Sequence, residues 1–329
     1  MNVLILGGGG MLGRKLVLAL TAAGRLGGKE IGRLTLADMM EPVVPDGSAF
    51  DIRGVAMDIS DPRQVAALVE QRPDVIFHLA AIVSGEAELD FDKGYRVNLD
   101  GTRHLFEAIR AEAAKSPYKP RLVFTSSIAV FGAPFPDRIG DTFFRTPQTS
   151  YGTQKAICEL LLEDYSRRGI FEGIGIRLPT VCIRPGAPNK AASGFFSNIL
   201  REPLVGREAV LPVSETVRHW HASPRSAVGF LLHAAAIEPE RLGTRRVLNM
   251  PGLSATVGEQ IEALRRVAGE KALRLIRREP DPLIERIVAG WPGNFDPRRA
   301  IELGFHAENS FDEIIRVHIE DELGGRLPN

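Results

Sequence analysis

Four consecutive glycines, Gly7 to Gly10, stand between a short apolar run, Asn2 to Leu6, and a stretch of helical period from Met11 to Ala23. Neither element can continue through such a run, so the chain must turn there and start a helix at once. Glycine at Gly7, Gly10 and Gly13 allows a tight turn and close backbone approach, leaving amides at the helix N-terminus free to face a pyrophosphate. Met11 and Leu12 complete this loop, while Gly8 and Gly9 add freedom without needing to touch a ligand. The spacing is not the G-x-G-x-x-G of many dinucleotide-binding proteins, so its place in a sheet carries the argument.

That place follows from the alternation of elements. β-Branched and Leu-rich runs predict strands at Asn2 to Leu6, Arg33 to Asp38, Gly54 to Met57, Asp74 to Leu79, Arg121 to Ser126 and Gly173 to Leu178. Helical periods fall between them, at Met11 to Ala23, Pro62 to Gln71, Asp92 to Ala114 and Tyr151 to Arg168, with Arg25 to Gly32 as an extended turn. The pattern predicts an α/β fold, a doubly wound parallel sheet of the Rossmann type. After Arg184 the texture changes, with Pro185, Gly186, Pro188 and Asn189 clustered and Pro203, Gly206 and Pro212 following. A smaller, mixed α/β lobe is expected there. Its pieces are strands near Glu208 to Leu211 and Arg245 to Asn249, and helices near Pro224 to Ile237, Thr256 to Ala268 and Phe311 to Leu323. The expected division is a dinucleotide-binding domain over 1–183 and a substrate lobe over most of 184–329, with a segment near 215–250 returning to the first.

Length and composition narrow the class. A chain of 329 residues, 44% hydrophobic, can bury a large core and a second one beside it. Basic and acidic residues balance at 41 each, so no overall field draws the protein to nucleic acid or an anionic membrane. Cys158 and Cys182 lack a framework spacing and read as buried thiols in a reduced compartment. The N-terminal apolar run has no basic flank and is broken by glycine, and no stretch approaches the roughly 18 apolar residues of a membrane span. A cytoplasmic protein is expected.

Asp38 ends the second strand, where a carboxylate can accept both hydroxyls of an adenine ribose and repel the extra phosphate of NADP. NAD is the expected cofactor. The separation from the glycine loop exceeds the usual twenty or so residues, and the Arg25 to Gly32 turn accounts for the excess. Asp58 closes the third strand and, with Ile59, is placed near the adenine; a helix cap ahead of Pro62 would give Asp58 the same appearance.

Tyr151 and Lys155 stand four residues apart on one helix face. A phenol with a pKa of about 10 is a poor base near neutrality unless positive charge stabilises its anion; Lys155 is expected to supply that charge and to bond the nicotinamide ribose. Ser127, just beyond a strand's carboxyl end, lies where doubly wound sheets bind ligands and is expected to hold the substrate oxygen. Ser126 is assigned to the cofactor or the turn.

With these residues in place, the chain resembles the extended short-chain dehydrogenase/reductases, the family of sugar-nucleotide epimerases and dehydratases. The resemblance rests on GGGGMLG at Gly7, DIS at Asp58, HLAA at His78, NLDGT at Asn98, TSSIAVFG at Thr125, YGTQK at Tyr151 and RLPTVCIRPG at Arg177. It implies a catalytic set of Ser127, Tyr151 and Lys155, with Leu79, Ala80 and Ala81 lining the cofactor. It also places Asn98 on the long helix in a largely structural role near the cofactor, and Pro179 and Thr180 beside the nicotinamide amide. The family commonly dimerises through two long helices, here near Asn98 to Arg110 and Ile157 to Tyr165, so a homodimer is expected.

Departures from the family pattern bear on the reaction. Where RDFVHVDD is common, this chain has Arg218, His219, Trp220, His221, Ala222, Ser223, Pro224 and Arg225. A dehydratase would carry Asp and Glu after the catalytic hydroxyl; Ile128 and Ala129 stand there instead. Gly186 to Gly206 lacks an Asn-rich, aromatic pattern for a nucleotide. These features and the Ala187 to Leu204 segment resemble the branch of the family that oxidises D-erythronate. The implied substrate is a four-carbon sugar acid, oxidised at its second carbon to the 2-oxo acid. Arg184 or Arg218 would clamp the carboxylate, with Ser84 as a further substrate contact and Lys190 and Ser193 as weaker ones. His219 and His221 share one face of a strand, but without a third ligand at a useful spacing no metal is expected. Two rivals remain: a sugar-nucleotide 4-epimerase that retains NAD through its cycle, and a non-catalytic NAD-binding sensor.

Overall fold

A computed structural model describes residues 1–186 and 193–327. Seven parallel strands form its main sheet, in the spatial order Val247–Asn249, Glu172–Leu178, Arg121–Ser127, Val75–His78, Asn2–Leu6, Arg33–Asp38 and Asp51–Ala56. The central strands are buried on both faces, Val75–His78 throughout, which is why they read as continuous apolar runs. The edge strand Asp51–Ala56 is half open to solvent. From Asn2–Leu6 the chain winds outward to Asp51–Ala56, then crosses back to Val75–His78 on the other side. This reversal sets a crevice beside the carboxyl end of Asn2–Leu6, where open α/β sheets bind ligands.

Several elements differ from their sequence expectation for identifiable reasons. The helix expected from Asp92 to Ala114 is three pieces: Phe91–Gly94, a wider π-helical turn over Tyr95–Asp100, and Gly101–Lys115. Close packing governs both joints. A Cβ on Gly94 would lie 2.6 Å from Gln154 Nε2, and one on Gly101 would lie 2.9 Å from Ile59 Cγ2. The π turn between them points Asn98 inward, 1% exposed. The extended turn at Arg25 to Gly32 is a small hairpin, Arg25–Leu26 against Lys29–Glu30, with Gly27 and Gly28 at φ 55° and 79°.

Past Arg184 the chain builds a second core and then returns. Thr180–Val181, Arg218–Ala222 and Leu253–Thr256 form a three-stranded sheet, and Ala209–Leu211 pairs with Ile276–Arg278. Helices Gly194–Leu204, Val257–Ala268 and Phe311–Glu322 close over them, burying Phe196, Ile199, Leu211, Ile261, Leu264 and Ile315. The Val257–Ala268 helix starts at a reciprocal cap between Thr256 and Glu259. Val247–Asn249 instead joins the large sheet, parallel to Glu172–Leu178, and helix Pro224–Ala236 packs beside Met11–Ala23. Phe230, Leu231 and Leu248 thus share a core with Val3, Ile5 and Leu16. Among the described residues no helix is long and apolar enough to cross a membrane.

Candidate active site

The glycine loop occupies the crevice. Gly7 has φ 90°, and a Cβ there would meet Ala80 N at 2.7 Å; a Cβ on Gly13 would lie 2.2 Å from Gly7 O. Only glycine lets this turn sit against the Leu79 to Ala81 backbone and against its own helix. The Met11–Ala23 helix opens at Gly10 with no side-chain cap, so its first amides are free for an anion. Asp38 stands beside them, one oxygen accepting from Gly9 N at 2.9 Å and the other from Met39 N at 2.8 Å. A carboxylate keeps lone pairs beyond these two bonds, which suits it to ribose hydroxyls.

Other expected cofactor residues are placed differently from one another. Asp58 Oδ1 accepts from Ser60 N and Ser60 Oγ, and the cap of the Pro62–Val69 helix is Asp61, so capping does not explain Asp58. Ile59 is 4% exposed and its side chain packs against Gly101, so it belongs to the core. Asn98 acts as a structural anchor, its amide bonding Ile82 N, Ile82 O and Gln154 Oε1, which holds the Leu79 to Val83 loop. Ser126 is a correction. It is 2% exposed, and its hydroxyl donates to Glu159 at 2.5 Å, away from the crevice, because successive strand residues face opposite sides of a sheet.

Thr149 caps the Ser150–Arg167 helix, whose first turns carry Tyr151 and Lys155. Lys155 is 2% exposed; its Nζ donates to Thr125 O at 2.8 Å and lies 4.7 Å from the Phe124 ring centre. An ammonium has three donors, so a buried one meeting a single acceptor among the described residues is a ready partner for two ribose hydroxyls. Burial pulls Lys155 down to about 8, against the opposing pull of Cys158 and Glu159. Burial pushes Tyr151 up to about 12, while a hydrogen bond with Ser127 and the charge of Arg184 act in the opposite direction. Lys155 donates to the strand and also lies 5.8 Å from the Tyr151 ring centre, and Arg184 from the other lobe adds a second positive charge near the phenol. Ser127 Oγ also accepts from Ala129 N at 3.1 Å, which ties it to the turn that follows the strand.

Arg184 lines a cavity of about 120 Å³ with Met11, Pro185, Gly194, Ser197, Asn198 and Arg201. The cavity thus joins the glycine-loop helix to the smaller lobe. Arg218 is not brought to it. That side chain is exposed at the start of the central strand of the small sheet, bonding Ser254 O at 3.1 Å and pairing with Glu259 at 3.3 Å. Ser84 opens the short helix Ser84–Leu89, where a loop was expected, and is half-buried. Pro179 separates Glu172–Leu178 from Thr180–Val181, and Thr180 Oγ1 bonds His219 Nε2 at 2.7 Å. His219 stacks on Phe196 and His221 bonds Gln260, both buried and packed, and the described residues hold no metal-binding cluster. Trp220 is core, its indole donating to Met250 O. Lys190 lies outside the described residues; Ser193 is half-buried just before the Gly194–Leu204 helix.

Sequence reasoning passed over Ser197, Asn198 and Arg201, which carry no motif, and Glu159, whose position four residues past Lys155 continues the Tyr151 spacing.

Residues 3–223 match the NAD dependent epimerase/dehydratase family. The chain belongs to that family. Its cofactor is NAD, for which the glycine cradle, the uncapped helix and the half-satisfied Lys155 provide fitting contacts, and it is an NAD-dependent dehydrogenase. A D-erythronate dehydrogenase of Cupriavidus necator is 47% identical over 325 residues, 98% of each chain. A D-erythronate dehydrogenase of Haemophilus influenzae is 43% identical, covering 98% of this chain and all of its own. The crystal structure of a nucleoside-diphosphate-sugar epimerase from Agrobacterium tumefaciens superposes with a TM-score of 0.98 at 68% identity, covering 100% of this chain and 96% of its own.

Proposed function

We propose that the protein oxidises a four-carbon sugar acid, D-erythronate, at its second carbon, working in the cytoplasm as a homodimer. The observation that carries this reading is the placement of Arg184, which lines the cavity and bears electrostatically on the Tyr151 phenol. In a 2-hydroxy acid the carboxylate is one bond from the carbon that reacts. A guanidinium holding that carboxylate must therefore stand close to the group that takes the hydroxyl proton. The charge of Arg184 acting on Tyr151 supports it for this role over Arg218, which pairs with Glu259 at the surface.

Ser127 donates to the substrate oxygen and orients the hydroxyl toward Tyr151. Tyr151 accepts its proton as the carbonyl forms. NAD supplies the hydride acceptor and a positive ring that favours the phenolate. Lys155 holds the ribose and so sets the distance between the cofactor and the substrate carbon.

The Agrobacterium structure favours a second reading, a sugar-nucleotide 4-epimerase, because of its high identity. The two separate in one assay. The protein is incubated with NAD and a panel of aldonic acids while formation of the reduced cofactor is followed, and in parallel with UDP-sugars. NADH appearing with D-erythronate is the expected result; interconverted UDP-sugars without net NADH would establish the epimerase.

A further inference from the structure

The Ser150–Arg167 helix meets the Arg121–Ser127 strand at three successive turns. Tyr151 faces Ser127, whose hydroxyl opposes the upward push of burial on the phenol, Lys155 donates to Thr125 O at 2.8 Å, and Glu159 accepts from Ser126 Oγ at 2.5 Å. Nothing in the chemistry of hydride transfer requires the third contact, and it is costly to build. Glu159 is 0% exposed, and a buried carboxylate is tolerated only when paired and fully bonded. Its oxygens accept four bonds: from Ser126, from Arg177 Nε at 2.9 Å and Nη2 at 2.8 Å, and from Arg145 Nε at 2.5 Å. Arg177 is itself 1% exposed and reaches on to Asn249 Oδ1, whose backbone amide bonds Asp141. Arg145 also pairs with Glu163 at 2.9 Å.

The groups around Lys155 make this arrangement informative. From its own helix Tyr151, Cys158 and Glu159 face it; from the strands come Phe124 and Thr125, without charge, and His78. Burial and the lysine itself push His78 down to about 3, so it is neutral at working pH. Glu159 is the one carboxylate among the described residues whose charge reaches the ammonium. It lies one helical turn away across low-dielectric packing, where charges interact far more strongly than in water.

We infer that Glu159 is a positioning residue of the cofactor site: the Arg145, Arg177 and Ser126 bonds hold its carboxylate one turn from Lys155, where it keeps the lysine charged and aimed at the nicotinamide ribose. Arg145 and Arg177 set how much of that negative charge the lysine receives. The inference rests on the assignment of Lys155 to the ribose. It does not depend on which acid is oxidised.

The test uses NAD binding, measured by calorimetry from about pH 6 to about pH 10, so that turnover is not needed. In the wild type, affinity should fall by about tenfold as Lys155 loses its proton near pH 8. Lys155→Met should remove that break. Glu159→Gln, which keeps the shape and loses the charge, should move the midpoint down by about one pH unit. Glu159→Asp should leave it near the wild-type value even where stability falls. Arg145→Ala, at a partly exposed side chain (22%), should move the midpoint up, because the carboxylate then loses one of its two cations. This opposite sign keeps the inference testable if Glu159→Gln does not fold. An unmoved midpoint in Glu159→Gln, or a downward shift in Arg145→Ala, overturns it. A wild type with the pH break intact that oxidises no sugar acid overturns the proposed function and leaves the inference standing.

Discussion

The half of the molecule built on the large sheet and the smaller lobe assemble their parts of the site in contrasting ways. In the first, groups arrive from consecutive strand ends and one helix: the Gly7 to Gly13 loop, Asp38, the Leu79 loop, Ser127, and then Tyr151 and Lys155. Each is set by backbone geometry that a regular element imposes. In the second, Arg184 follows a strand of two residues, and Ser197, Asn198 and Arg201 come from the Gly194–Leu204 helix. Here short pieces distant in sequence are held together by packing. The difference teaches that the cofactor loop sits on regular elements of one sheet, whereas the cavity beside Arg184 is lined by a few side chains from short pieces.

Substitutions on the two sides should separate these roles. The largest effect is expected on the frame. Tyr151→Phe should lower turnover by about 10²–10⁴-fold while NAD affinity stays within about twofold; full turnover in that variant would break the assignment of the proton acceptor. Next comes the facing lobe, where Arg184→Met should raise KM for the acid by about 10–100-fold and leave NAD binding unchanged. Equal losses in NAD affinity would show that Arg184 serves the cofactor and that the two halves are not divided as described. Arg218→Ala is the matched control and should shift KM by less than about twofold, since its charge is already met at the surface by Glu259.

Stability measurements sharpen the same contrast. Gly13→Ala forces a Cβ to 2.2 Å from Gly7 O and should cost about 1–3 kcal/mol in urea unfolding, together with loss of NAD binding. Acid should act through the buried histidines of both halves. Burial holds His78 near 3 and His219 near 4, and pushes His221 well below its ordinary value. A group whose folded pKa is depressed is protonated first in the unfolded chain, so its contribution is present above about pH 6.5 and is lost as pH falls toward the folded pKa. Unfolding free energy should drop between pH 7 and pH 5 by on the order of 2 kcal/mol for each such histidine. Replacing His219 by Gln should flatten part of that slope, and an unchanged slope would argue that the smaller lobe opens before its histidines charge.

Much of the frame was legible in local pattern. Strand Arg33–Asp38 and helix Met11–Ala23 run between the residues expected, because a buried parallel strand and an amphipathic helix each impose a period on their own residues. Tyr151 and Lys155 on one face follow from that same period. The long helix after Asp92 was less legible: its π turn exists because Gly94 and Gly101 press against Gln154 and Ile59, residues far away in sequence. Ser126 was misplaced for the same reason, since a serine that bonds a buried glutamate and one that faces a ligand look alike until the glutamate is located.

Periodicity and glycine placement were therefore enough for the sheet, the dinucleotide loop and the Tyr151–Lys155 pair, all of which depend on interactions within a few residues or along one element. Folding was needed to bring Arg184 to the cavity while leaving Arg218 paired at the surface, to join Lys155 to Thr125 O and to bury Glu159. Those outcomes depend on which charges meet across elements and how far water is kept from them, and spacing along the chain carries no record of either.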